Sequence, residues 1–78
     1  MKLTKTDREF IAICDDWKAP YEVIYARRMN PTPRSYQETY GRLIKLAKAG
    51  LLEYGQPNAT FRATDAGRAA LREGNHAS

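Results

Sequence analysis

Pro31 and Pro33 on one side and Gly50 on the other enclose the longest run of helical apolar spacing in the chain: Tyr36, Thr39, Tyr40, Leu43, Ile44, Leu46 and Ala47. Proline has no amide donor and biases the preceding residue away from helix, so Asn30-Pro31-Thr32-Pro33 predicts a stiff turn. The helix is expected to start around Arg34 or Ser35. Its far end is signalled by Lys45 and Lys48, cations that complement the helix dipole, and by Gly50, a natural left-handed C-cap. A helix with one apolar stripe must bury it against other elements. At 78 residues the chain has room for one domain to supply them.

The neighbours are shorter. Thr6-Asp7-Arg8-Glu9 has the form of a capping box, with Thr6 as N-cap and Glu9 reaching back. Phe10, Ile11, Ile13, Cys14 and Trp17 then follow helical spacing, which predicts a first helix from about Asp7 to Asp16. Pro20 suits the first turn of a second helix, supported by Tyr21, Val23, Ile24, Tyr25 and Ala26 and ending near Arg28. After Gly50, Leu51-Leu52-Glu53-Tyr54 reads as a strand, Gly55-Gln56-Pro57-Asn58 as a turn and Thr60-Phe61-Arg62-Ala63 as a return strand. Thr64 or Asp65 can cap a short last helix through Leu71. The expected domain covers residues 6–72, with 1–5 and 73–78 as flexible termini.

Charge is unevenly placed. Residues 1–18 and 51–78 each sum to zero, whereas 19–50 hold Arg27, Arg28, Arg34, Arg42, Lys45 and Lys48 against Glu22 and Glu38, which accounts for the whole net charge of +4. That segment leans toward an anionic partner. One cysteine cannot form an internal disulfide, and no metal-ligand spacing accompanies it. No apolar run suits a signal peptide or membrane span, so a cytoplasmic protein without membrane contact is expected. Catalysis finds no constellation: His76 is the sole histidine, Cys14 falls on an apolar stripe as an inert core thiol, and Asp15-Asp16 reads as a solvated pair. The chain is therefore expected to be no enzyme and to need no cofactor or metal.

Helix, helix, tight turn, helix, hairpin, helix is the order of a winged helix-turn-helix. Leu43-Ile44-Lys45-Leu46-Ala47-Lys48-Ala49-Gly50-Leu51-Leu52 resembles the end of the recognition helix in bacterial winged-helix regulators. Phe61-Arg62-Ala63-Thr64-Asp65-Ala66-Gly67-Arg68-Ala69-Ala70-Leu71 is similar to the strand-to-helix passage that closes the wing in the multiple-antibiotic-resistance and phenolic-acid-repressor types. The resemblance implies a mainly α fold: a three-helix core, a two-stranded wing and a short C-terminal helix. It further implies a small bacterial or phage transcriptional regulator that places the third helix in the major groove of double-stranded DNA. A homodimer through Ala70 and Leu71 of the last helix stands open beside a monomer. The alternative is a winged helix used as a protein-interaction module, a phage-encoded accessory protein or inhibitor of a host complex, with Tyr36, Tyr40 and Tyr54 on its interface.

Helical geometry places Gln37, Glu38, Gly41, Arg42 and Lys45 on the side opposite Thr39, Leu43 and Leu46. Gln37 has the geometry to read adenine and Arg42 guanine. Glu38, four residues before Arg42, offers it a salt bridge or could accept from a cytosine amino group. Arg34 and Ser35 sit where the helix begins, suited to phosphate or to capping. Gly41 would permit close approach. Arg27 and Arg28 are expected beside the groove, and Arg62 is the only charge near the wing that could reach a minor groove or phosphate. The tyrosine pairs 21/25 and 36/40 read as core rings with hydroxyls reaching water.

Overall fold

The computed structural model describes residues 3–56 and 58–76. Four helices and one antiparallel hairpin follow in the expected order: α1 (Lys5–Ile13), α2 (Pro20–Ala26), α3 (Pro33–Lys48), β1 (Leu52–Gly55), β2 (Thr60–Ala63) and α4 (Asp65–His76).

Helix α1 starts earlier than Thr6 suggests. Thr4 is the N-cap: its hydroxyl accepts from the Asp7 amide at 3.0 Å, and the Asp7 carboxylate accepts from the Thr4 amide at 3.1 Å. Leu3 packs against the core, so residues 3–5 belong to the folded body instead of a loose terminus. The helix also stops at Ile13 rather than at Asp16. The reason is long-range. The Cys14 carbonyl accepts from the Ala63 amide at 2.8 Å, and Lys18 and Phe61 exchange two backbone hydrogen bonds of 2.9 Å each. Residues 14–18 thus leave the helix to flank β2, and Trp17 lies at the surface instead of continuing the apolar stripe.

Helix α2 carries Pro20 in its first turn, and the Glu22 carboxylate caps the Ala19 amide at 3.0 Å. Helix α3 begins at Pro33, one residue before the expected start, because the Thr32 hydroxyl accepts from the Ser35 amide at 3.1 Å. Its end follows the expectation: Gly50 has φ +82°, its amide donates to Ala47 at 3.0 Å, and the Leu51 amide donates to Leu46 at 3.0 Å.

The hairpin pairs Leu52 with Ala63 and Glu53 with Arg62. β1 begins one residue later than expected and includes Gly55; Pro57 of the expected turn lies outside the described residues. Thr64 then ties hairpin to helix. Its amide donates to the Leu51 carbonyl at 3.1 Å, its hydroxyl donates to the Gly50 carbonyl at 2.7 Å, and the Thr64 hydroxyl oxygen accepts from the Gly67 amide at 3.1 Å. Helix α4 continues through His76, longer than the end near residue 72 read from the sequence. Ala77 and Ser78 of the expected tail, and Met1 and Lys2, lie outside the described residues.

The core is built from Phe10, Ile11 and Cys14 of the first segment, Val23 and Ile24 of α2, Leu43 and Leu46 of α3, and Leu52, Phe61 and Ala63 of the hairpin. Each alternates with exposed positions as its element's period requires, so α3 turns its opposite face to solvent.

Candidate nucleic-acid interface

The outward ridge of α3 carries Arg34, Gln37, Glu38, Gly41, Lys45 and Lys48, all exposed. Gln37, Lys45 and Lys48 enter no ion pair or side-chain hydrogen bond among the described residues. A Cβ at Gly41 would meet nothing within 4 Å, so the helix backbone is bare there. Arg34 stands 89% exposed, and its Nε donates to Glu38 Oε1 at 3.1 Å. Glu38 thus spends its charge on the arginine four residues before it instead of on Arg42.

Arg42 is taken elsewhere, which overturns its expected role as an outward base reader. Its Nη1 donates to Asp7 Oδ1 at 2.7 Å, 35 positions away in sequence, and its guanidinium lies over the Phe10 ring at 5.9 Å from the centroid. Asp7 is itself only 3% exposed, so the pair is a structural tie between α1 and α3. A sequence signal for this exists. Asp7, Phe10, Ile11 and Cys14 are spaced i, i+3, i+4, i+7, which puts an acid on the core face of α1 and requires a cation to meet it.

Two other candidates are committed in the same way. Arg27 Nε donates to Glu9 Oε1, and its guanidinium also lies over the Phe10 ring, 4.9 Å from the centroid. Arg62 gives Nε and Nη2 to one carboxylate oxygen of its cross-strand partner Glu53 at 3.2 and 2.9 Å, and lies 4.6 Å from the Trp17 ring centroid. Neither is free for a groove. Ser35 is half-buried, and its Oγ accepts from the hydroxyl of the N-cap Thr32 at 2.9 Å, so its side chain is engaged in holding the cap. Arg28 is exposed and, among the described residues, has no acid within reach.

A cleft of about 560 Å³ runs along one flank of α3, lined by Phe10, Met29, Ser35, Arg42 and Lys45 among others. On the other flank the tyrosines do not all behave as core rings. Tyr40 is half-buried and meets Phe61 edge-on at 6.1 Å, while Tyr36 stacks on Tyr40 from the solvent side at 6.3 Å. Tyr21 and Tyr25 are 53% and 60% exposed.

Cys14 is fully buried, and burial pushes its thiol up to about 11. At pH 8 a shift from 9.0 to about 11 lowers the thiolate fraction about 100-fold, before any steric protection. Labelling with a thiol reagent should therefore be at least that much slower in buffer than in denaturant; equal rates would refute the buried placement.

Among the described residues no three His, Cys, Asp or Glu side chains gather as metal ligands, and no helix is long and apolar enough to cross a membrane. No family model matches the chain, and no curated protein or solved structure is significantly similar to it.

Proposed function

We propose that the protein is a winged helix-turn-helix module that binds double-stranded DNA with α3 in the major groove, as a small bacterial or phage transcriptional regulator. The observation that carries this reading is the composition of the α3 ridge: Gln37, Lys45 and Lys48 are free of side-chain partners among the described residues, beside a bare Gly41. Arg27, Arg34 and Arg42 of the middle segment are paired with acids of the same protein, which leaves Lys45 and Lys48 on the outward face of α3 and Arg28 just after α2. A helix of this diameter fits the major groove, and Gln37 offers a bidentate amide for adenine. The element order and the capped hairpin support the winged-helix assignment.

With Arg27, Arg42 and Arg62 committed and Arg34 paired with Glu38, attraction to phosphate falls to Arg28, Lys45 and Lys48. About three such contacts give a slope near −2.7 in a plot of log affinity against log salt, or a roughly 40-fold loss between ~50 and 200 mM. Lys45→Gln with Lys48→Gln should weaken binding to random-sequence duplex about 60-fold at ~100 mM salt and flatten the salt slope by about 1.8, at the cost of only a small drop in melting temperature from the two cations lost in the last turn of α3. Unaltered affinity in that double variant would refute the assigned face.

A second reading has its own observation. Tyr21, Tyr25 and Tyr36 stand out from α2 and α3, and tyrosine exposed in this way suits a protein interface. Absence of duplex binding by the unmodified protein at low salt would put the interaction module in first place.

A further inference from the structure

Helices α2 and α3 end in the same hydrogen-bonded device. In α3 the Gly50 amide donates to Ala47 at 3.0 Å and the Leu51 amide to Leu46 at 3.0 Å; in α2 the Arg28 amide donates to Tyr25 at 2.9 Å and the Met29 amide to Ile24 at 3.1 Å. Both closures need a left-handed residue at the equivalent place, with φ +82° at Gly50 and +59° at Arg28. Glycine adopts that conformation freely, whereas a residue with a Cβ is strained in it. Arg28 is the only non-glycine residue with positive φ among the described residues.

No ion pair or side-chain hydrogen bond among the described residues rewards that side chain. Arg28 is exposed and has no acid within 4.0 Å among the described residues. The preceding Arg27, held by Glu9 and Phe10, already supplies a cation at the end of α2. Met29, which follows, lines the cleft beside α3 together with Lys45. Arg28 thus sits in the turn that leads from α2 to α3, next in sequence to a residue of that cleft.

Resting on the duplex-binding reading, we propose that Arg28 is a phosphate-contacting residue kept in a glycine position at the expense of stability. Residues held in sparsely populated backbone conformations cluster at ligand-binding and catalytic sites. The ligand class is a nucleic-acid phosphate diester, met at the turn before the recognition helix and independent of base sequence.

The test compares Arg28→Gly and Arg28→Lys with the unmodified protein in thermal unfolding and in salt titrations with random-sequence duplex. Arg28→Gly should raise the melting temperature by about 2–8 °C. The same variant should weaken duplex binding about 8-fold at ~100 mM salt and flatten the salt slope by about 0.9, the signature of one lost phosphate contact. Arg28→Lys should keep both affinity and slope. A lower melting temperature in Arg28→Gly would make the arginine structural and overturn the proposal. Binding by the unmodified protein that Arg28→Gly leaves unmoved would overturn this assignment alone; no duplex binding by the unmodified protein would overturn it together with the reading it rests on.

Discussion

Arg42→Ala should lower the stability of the fold by about 2–3 kcal/mol, enough to be seen as a large drop in urea midpoint. The substitution strips a carboxylate that is only 3% exposed of its cation, which is the costly way to break an ion pair. The figure lies below that of a wholly buried pair because the arginine side chain is 36% exposed and partly screened. Burial alone pushes the Asp7 carboxyl up, but the Thr4 amide, the Arg42 guanidinium and the Thr4 hydroxyl outweigh it and hold the acid below its ordinary value of 3.8. A folded carboxyl that releases its proton more readily than the unfolded one contributes stability above the unfolded value, lost as the pH falls through the lower folded value. Without Arg42 its hydrogen bond and its charge no longer hold the carboxyl down, and that contribution shrinks. The gap in stability between Arg42→Ala and the unmodified protein should therefore be wide at pH 6 and narrow at pH 3. A gap that does not change with pH would refute the Asp7–Arg42 tie, as would an Arg42→Ala variant of normal stability.

Gly67→Ala should be at least as damaging, about 3 kcal/mol or more, or ~12–24 °C in melting temperature. A Cβ at this buried position of α4 would run into the Leu51 carbonyl oxygen and come within 3.3 Å of the Ile11 side chain. Neither neighbour can give way cheaply. The Leu51 carbonyl accepts from the Thr64 amide at 3.1 Å, and Ile11 is in the core. Helix α4 would have to lift off the hairpin root and off α1, exposing apolar surface on both. Gly41→Ala is the matching control: it lies within α3, has nothing within 4 Å, and should stabilise by about 1 kcal/mol. Two glycine-to-alanine changes within helices should thus move stability in opposite directions. Equal effects on thermal unfolding would mean that α4 is not packed as described.

The contrast between well-read and misread parts of the chain follows from the range of the interactions involved. The span of α3 was legible within one residue at its start because its signals are local: Thr32-Pro33 before it and Gly50 after it act through the backbone of their own neighbours. The end of α1 was misread because Cys14 and Lys18 stop being helical to bond Ala63 and Phe61, partners more than 40 positions away. Trp17 was drawn to the surface by the same turn. The α2 terminus hid its left-handed residue because arginine carries no signal for that conformation.

For the candidate site the count of cations was legible and their availability was not. Arg42 has an acid four residues before it, and local spacing favours that pair; instead Glu38 takes Arg34, because the core face of α1 brings Asp7 against Arg42. Arg27 and Arg62 were lost from the candidate surface to Glu9 and Glu53 in the same way.

By itself the sequence determined the type and order of the elements, the apolar stripe of α3 and the segment in which excess positive charge resides. These depend on periodicity, proline and glycine stereochemistry and simple summation. Only the tertiary structure decided which of those charges face outward unspent, because a carboxylate chooses its partner by distance in space, and folding brings together residues that the chain keeps far apart.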